Sequence, residues 1–195
     1  MAGILLAAGT SSRMGQNKLF FRLDGESILR RAVNRAFAAG LDPVVVVLGH
    51  EADRACSELS GLACQPVFNP EYAMGINRSL RSGIAAVPAG AAAAVVLLAD
   101  MPLVTARMIA TLIERYRETT APLVVSDYGG VHAPPMLYDR SLFAELYAME
   151  GEGCGRQVVK RHLSESVAVS WPAAALTDLD VPGDYERVKG KLGTG

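Results

Sequence analysis

The stretch Gly3–Lys18, GILLAAGTSSRMGQNK, decides the fold. It opens on the apolar run Ile4–Leu5–Leu6–Ala7–Ala8 and continues into Gly9, the hydroxyls of Thr10, Ser11 and Ser12, the cation Arg13, Gly15 and Lys18. So short an apolar run reads as a strand buried on both faces, the usual first strand of an α/β sheet. The glycine- and hydroxyl-rich turn behind it suits a polyanion. Gly9 lets backbone N–H groups face a ligand with no Cβ in the way. Successive N–H groups in such a turn form an anion-binding nest. Arg13 adds a planar cation able to bind phosphate bidentately, and Lys18 adds a point charge.

Two common phosphate loops are excluded. A P-loop needs glycines five apart followed by Lys-Ser/Thr, whereas Gly9 and Gly15 are six apart and Gln16 follows. The dinucleotide pattern G-x-G-x-x-G fails because Ser11 stands where its second glycine belongs. The stretch resembles instead the signature (L)-A-x-G-x-S-x-R-M-G-x-x-K of nucleotidyltransferases with an A-type glycosyltransferase-like fold. Ala7, Gly9, Ser11, Arg13, Met14, Gly15 and Lys18 match it in register.

Composition agrees with that class. The 195 residues suit one domain with a sizeable core. Half are hydrophobic and only 6% aromatic, as in an α/β protein whose strands are covered on both faces. A formal net charge of −1 and the lack of a basic run argue against a nucleic-acid surface. No apolar run is long enough to span a bilayer, and the N-terminus enters the first strand with no cationic leader. Cys56, Cys64 and Cys154 show no C-x-x-C spacing, and His50, His132 and His162 are scattered. A reduced, cytoplasmic protein without a zinc site is expected.

Periodicity assigns the rest. Ser27–Gly40 reads as a helix with Leu29, Ala32, Val33, Ala36 and Phe37 inward and Arg30, Arg31, Asn34 and Arg35 on a solvated face. Pro43–Leu48 and Cys64–Phe68 read as strands around a short helix near Ala52–Leu59, with His50 a loop histidine at a strand's C-terminal end. Ile76, Leu80, Ile84 and Val87 form a helical stripe, with Gly75, Asn77 and Ser79 at its start. Ala93–Ala99 is a buried strand ending in Asp100–Met101–Pro102. A carboxylate there is costly unless it has a partner or faces a cleft. A helix capped by Thr105 and a strand Pro122–Ser126 come next. Gly129–Tyr138 then opens a less regular half, because Pro134–Pro135 excludes a central strand with a full ladder. Ser141–Tyr147 and Gln157–His162 read as helices; Val167–Val169 and Leu176–Pro182 read as strands. Asp178 and Asp180 share one face of the last, and a cation would relieve their repulsion.

Further segments carry the resemblance. Asn69–Gly83 matches N-P-x-x-x-x-G-x-x-x-S-L-x-x-G, Leu98–Pro102 matches L-A-D-x-P, and Asp178–Asp184 matches D-x-D-x-P-x-D. Over nearly its whole length the chain resembles the molybdenum cofactor nucleotidyltransferases, and Ala7–Ala8–Gly9 leans to the cytidylyltransferase branch, since the guanylyl branch more often has A-G-G.

The resemblance implies a three-layer Rossmann-like α/β fold, a mostly parallel sheet with helices on both faces. One domain over 1–195 would bind nucleotide through about 1–104 and acceptor through about 105–195. CMP would pass from CTP to the terminal phosphate of a molybdopterin-type cofactor, releasing pyrophosphate, with a molybdoenzyme receiving the product. Ala7, Ala8, Gly9, Thr10, Ser11, Arg13, Lys18, Asn77 and Ser79 would hold the nucleotide, with Arg13, Lys18 and Asp100 catalytic. Asp100 and Asp180, the latter favoured over Asp178, would hold Mg²⁺. His132, Pro134, Gly151 and Arg156 would meet the acceptor. The two acceptor loops depart from the family's G-H-P and G-D-x-G-A-R: they read V-H-A-P-P and G-E-G-C-G-R, with Cys154 of open role. Three alternatives stand beside this reading. They are guanylyl transfer from GTP, transfer to a sugar or alcohol phosphate, and a non-catalytic carrier of the cofactor.

Overall fold

The computed structural model describes residues 1–11, 16–150, 153, 155–177, 179 and 183–186. The leading apolar run forms strand β1 (Ala2–Ala7), buried at every position. A two-stranded hairpin, β2 (Arg22–Leu23) and β3 (Glu26–Ser27), leads into helix α1 (Ile28–Ala38). Ser27 caps α1 by accepting the Arg30 N–H. Then follow β4 (Val44–Leu48), α2 (Ala52–Glu58), β5 (Gln65–Phe68), α3 (Ile76–Ala86) and β6 (Ala93–Leu98). The second half holds α4 (Ala106–Thr119), β7 (Leu123–Asp127), β8 (Met136–Asp139), α5 (Phe143–Ala148), α6 (Arg156–His162) and β9 (Val167–Ser170).

Among the described residues, seven strands form one sheet in the order β5-β4-β1-β6-β8-β7-β9. β5, β4, β1 and β6 run parallel, with Ala7 beside Leu48 and Leu6 beside Leu98. β8 runs antiparallel to both β6 and β7, and β9 is parallel to β7. Successive strand residues feed opposite faces of the sheet. Leu5, Val46, Val95 and Leu97 pack under α1 and α4. Ile4, Leu6, Val47 and Val96 pack under α3, α5 and α6. The fold is therefore the expected Rossmann-like nucleotidyltransferase architecture of three layers. Chain order turns outward in both directions from β1, so a crevice opens between the C-terminal ends of β1 and its neighbours, where such sheets bind ligands.

Three expectations need correction. Gly129–Tyr138 is not all irregular: Met136–Asp139 is strand β8, inside the sheet. The prolines end just before its ladder begins, at Met136 beside Val96. Their carbonyls accept side-chain hydrogen bonds instead, Pro135 from the Ser126 hydroxyl at 2.7 Å and Pro134 from Tyr128 at 3.0 Å. Leu176–Pro182 is not a strand where it is described, since Leu176, Thr177 and Leu179 lie outside any ladder. There the backbone turns back on itself, the Thr177 N–H reaching the Ala175 carbonyl, and then donates from Leu179 to Asp100. The polar face of α1 is not simply solvated either. Arg30 donates to the Glu58 carbonyl, Arg31 to that of Leu23 and Arg35 to that of Pro102.

No helix among the described residues is long and apolar enough to cross a membrane.

Candidate active site

The turn after β1 is built to present Lys18. Ser11 sits in the left-handed region, φ 50°. Its hydroxyl accepts the Lys18 N–H at 3.2 Å and donates to Asn17 Oδ1 at 3.4 Å. Asn17 is buried, and its Oδ1 also accepts the Leu19 N–H, capping the short 3₁₀ turn Lys18–Phe20. Ser11 and Asn17 thus tie the two ends of the loop together. Ser12, Arg13, Met14 and Gly15, between those ends, lie outside the described residues.

From the neighbouring strand comes Asp100. Ala99 extends the line of β6, donating its N–H to the Leu6 carbonyl. The chain then turns, with Met101 N–H on the Leu98 carbonyl and Val104 N–H on that of Met101. Arg35 reaches across from α1 and donates to the Pro102 carbonyl at 2.6 Å. Burial pulls the Arg35 guanidinium down to about 10. The Leu179 N–H closes on the Asp100 carbonyl at 3.2 Å. Held in this way, Asp100 Oδ2 stands 2.7 Å from Lys18 Nζ.

These groups line a cleft of about 370 Å³. Ala7, Ala8, Gly9, Thr10, Ser11, Lys18, Ser79 and Asp100, all expected site residues, meet in its wall. Tyr72, Gly75 and Ile76 complete the side facing α3. Gly49 is what lets this wall close: a Cβ there would run into Tyr72 and Ala8. Ser79 accepts a hydrogen bond from the buried Asn69 amide, which links the Asn-Pro turn to α3. Asn77 is placed differently. It is buried, does not line the cleft, and accepts the Gly155 N–H at 3.4 Å, joining α3 to the start of α6. His50 also stays off the cleft wall, beside Glu51.

A second cleft, of about 550 Å³, shares Ile76 and Leu98 with the first. His132, Pro134 and Arg156 line it. Gly151, Glu152, Cys154, Asp178 and Asp180 lie outside the described residues. Among those described, no group of three or more His, Cys, Asp and Glu side chains could hold a metal.

Asn17, Tyr72 and Arg35 were missed as site-building residues, while Asn69 reads in the sequence only as the first residue of the Asn69–Gly83 motif. Asn17 carried one local signal, a capping residue type directly before Lys18. The others act through tertiary contacts.

A phosphate-suited turn after β1, an acid after β6 and a cleft between them define a nucleotide-handling α/β transferase. A family model described as a MobA-like NTP transferase domain matches residues 3–167. The chain belongs to this family and is a nucleotidyltransferase. It is 30% identical to the purine catabolism protein PucB of Bacillus subtilis (strain 168), over 97% of this chain and 96% of that protein. It is 36% identical to a protein of Opitutus terrae named "Probable molybdenum cofactor guanylyltransferase", over 54% of this chain and 50% of that one. Among solved structures, a homolog of Rv0371c from Mycobacterium sp. strain JC1 superposes with TM-score 0.86 at 25% identity, covering 99% of this chain and 96% of that one. Rv0371c of Mycobacterium tuberculosis H37Rv, in complex with manganese, superposes with TM-score 0.78 at 24% identity, covering 97% of each chain.

Proposed function

We propose that this chain transfers a nucleotidyl group from a nucleoside triphosphate to the terminal phosphate of a molybdopterin-type cofactor. The observation that carries the reading is the Lys18–Asp100 pair in a nucleotide-sized cleft that shares Ile76 and Leu98 with a second cleft lined by Arg156 and Lys160. Two substrates placed in adjoining clefts can meet at the boundary, near Ile76 and Leu98. Chain 1–195 then works as one domain, with the nucleotide held mainly by 1–104 and the acceptor by 105–195.

The donor set fits a divalent ion of the Mg²⁺ type. Asp100 is a single, partly exposed carboxylate at the cleft, and such ions take one or two carboxylates together with substrate phosphates and water. Asp100 would hold the ion with Asp180 of the D-x-D string, and the bound ion would neutralise phosphate charge. The Leu179 N–H on the Asp100 carbonyl ties that string to the strand end.

An oxygen of the acceptor phosphate attacks the α-phosphorus. A P–O bond forms there as the α–β phosphoanhydride bond breaks, and pyrophosphate leaves with the electron pair. The attacking phosphate is already anionic, so no protein base is needed. Catalysis is positioning and charge stabilisation. Lys18 takes charge developing at the α-phosphorus, while Arg13 and the N–H groups of the Gly9–Ser11 turn take the leaving pyrophosphate. Ser79 lies on the nucleotide side. Asn77 supports that side indirectly through Gly155. His132, Pro134, Arg156 and Gly151 take the acceptor.

For the base, cytosine is favoured. Ala8 lines the cleft close to Gly49, at the position where the guanylyl branch more often has glycine, and we infer that its methyl narrows the wall against a larger purine. The guanylyl reading is the second, favoured by the relative from Opitutus terrae. Pyrophosphate release with Mg²⁺, the isolated molybdenum cofactor, and CTP or GTP in separate reactions tests both. Release with CTP alone supports cytidylyl transfer, and release with GTP alone replaces it. Release with neither, beside tight cofactor binding, makes the protein a carrier. Release with neither and no binding points to a different acceptor.

A further inference from the structure

The second cleft contains more charge chemistry than transfer to one phosphate requires. Its basic side chains are His132, Arg156 and Lys160, and among the described residues no acidic side chain lines it. Lys160 has no expected role. Three basic side chains crowd the last turn of α6: Lys160, Arg161 and His162. Two are answered by Glu145, which pairs with Arg161 and lies 2.8 Å from His162 Nε2. Lys160 alone of the three lines the cleft, and it has no ion-pair or hydrogen-bond partner among the described residues. Arg156, one turn earlier, has no side-chain partner among them either.

Position separates these two cations. α6 begins at the boundary of the clefts, because Gly155 donates to Asn77, whose neighbour Ile76 lines both. Arg156 therefore stands near the place where the reacting phosphate must lie. Lys160 is four residues further along the helix, about 6 Å at 1.5 Å per residue. Between them and opposite, the walls are apolar: Met101, Val131, Met136, Val159 and Leu176. Methionines adapt to flat, polarisable groups.

We propose that Lys160 is a specificity residue of the acceptor cleft, binding an anionic group that the acceptor carries in addition to the phosphate that reacts. The ligand class is an acceptor anionic at two separated points, with a flat or apolar body between them. This rests on the nucleotidyl-transfer reading for the identity of the ligand, but not for the presence of an anion-plus-apolar site.

Two measurements divide those questions. The first titrates the protein with 8-anilinonaphthalene-1-sulfonate, an aromatic monoanion that fluoresces on apolar surfaces. Wild type is expected to bind it saturably. Lys160→Met weakens binding about fivefold, Lys160→Arg keeps it, and Arg107→Met, on the exposed face of α4, leaves it unchanged, as suits a charge-assisted contact. Equal binding by wild type and Lys160→Met, or no saturable binding by wild type, overturns the proposal. The second measurement is steady-state pyrophosphate release. Lys160→Met should raise the acceptor KM about tenfold, leaving kcat and the nucleotide KM within about twofold. A lysine serving only the helix dipole would shift the melting temperature and leave both KM values alone, which also overturns the proposal. If wild type shows no release with the molybdenum cofactor but the dye titration behaves as expected, the site stands and the identity of the acceptor falls.

Discussion

The ammonium of Lys18 lies 2.7 Å from a carboxylate oxygen of Asp100, with side chains 12% and 27% exposed. One partner comes from the turn after β1 and the other from the end of β6. These adjacent parallel strands bring a cation and an anion together in the same crevice. The pair is partly open to water, so its contribution to stability is modest, about 1 kcal/mol or less. In the transfer reaction proposed above, the pair poises charge for phosphate chemistry. Asp100→Asn and Lys18→Met are each expected to lower the transfer rate by about 10²–10³. Their circular dichroism spectra should match wild type. Unfolding of either variant would assign the pair to structure instead of catalysis.

Ala8 offers a test of base choice. It is buried at the cleft wall, and its methyl, with Tyr72, is what a side chain at Gly49 would meet. Ala8→Gly removes one methyl from that wall. A methylene-sized difference in a pocket discriminates by about 10–200-fold. The variant is expected to raise kcat/KM for GTP relative to CTP by about tenfold. An unchanged ratio would remove Ala8 from the specificity argument.

The site was partly legible because its ingredients are local. An apolar run followed by a turn rich in glycine and hydroxyls announces β1 and its loop. An acid directly after a buried strand announces Asp100. What sequence could not supply was the support from elsewhere in the fold. Arg35 shares a helix face with Arg30 and Arg31, and nothing in the periodicity says it reaches Pro102. Strand β8 was hidden because its prolines end just before the first ladder pair. Asn77 belongs to the right motif, yet spends its side chain on Gly155, a long-range contact that spacing along α3 does not reveal.

Arg35 is expected to act through the Asp100 turn. Arg35→Met leaves the Pro102 carbonyl without its donor, which costs about 1–3 kcal/mol if that oxygen stays dry. Arg35→Lys keeps a donor and should restore part of the loss. Because the Pro102 turn follows Asp100 directly, Arg35→Met should also weaken Mn²⁺ binding, read by electron paramagnetic resonance. A stability loss with unchanged Mn²⁺ affinity would confine Arg35 to packing.

Tyr116 and Asp139 give a pH signature. The Tyr116 hydroxyl donates to Asp139 Oδ2 at 2.5 Å, joining α4 to the end of β8. Burial and this hydrogen bond push the Tyr116 phenol up to about 12. For Asp139, burial pulls upward, but hydrogen bonds from Tyr116, Ser141 and Arg140 outweigh it and hold the carboxyl below its usual value. The folded state retains the phenolic proton longer than the unfolded chain, whose tyrosines titrate near 10. Its stabilisation is thus fully present below pH 10 and lost as pH rises toward 12. Asp139 has the opposite sense, its contribution being lost as pH falls through the folded pKa. Tyr116→Phe should flatten the decline in stability between about pH 10 and 12 and weaken the acid dependence too. Urea midpoints across both ranges would show this, and unchanged slopes would refute the assignment.

Gly83 closes the Asn69–Gly83 motif, and the structure gives it a packing reason. It lies on the face of α3 pressed against the sheet, where a Cβ would collide with the Ile4 side chain and stand 3.2 Å from Val47 Cγ2. Ile4 and Val47 are fully buried in adjacent central strands and have nowhere to move. Two effects therefore oppose each other in Gly83→Ala. Helix propensity alone favours alanine by about 1 kcal/mol. Overpacking a tight core costs about 1–3 kcal/mol and shifts backbone. With both colliding partners in the sheet interior, overpacking is expected to win, and α3 moves outward. That displacement carries Ile76 and Ser79, so the nucleotide cleft widens along with the loss of stability. The expected result is a lower urea midpoint at constant slope, together with a raised KM for the nucleoside triphosphate. A stabilised Gly83→Ala would show that α3 has slack against the sheet and that propensity decides the position.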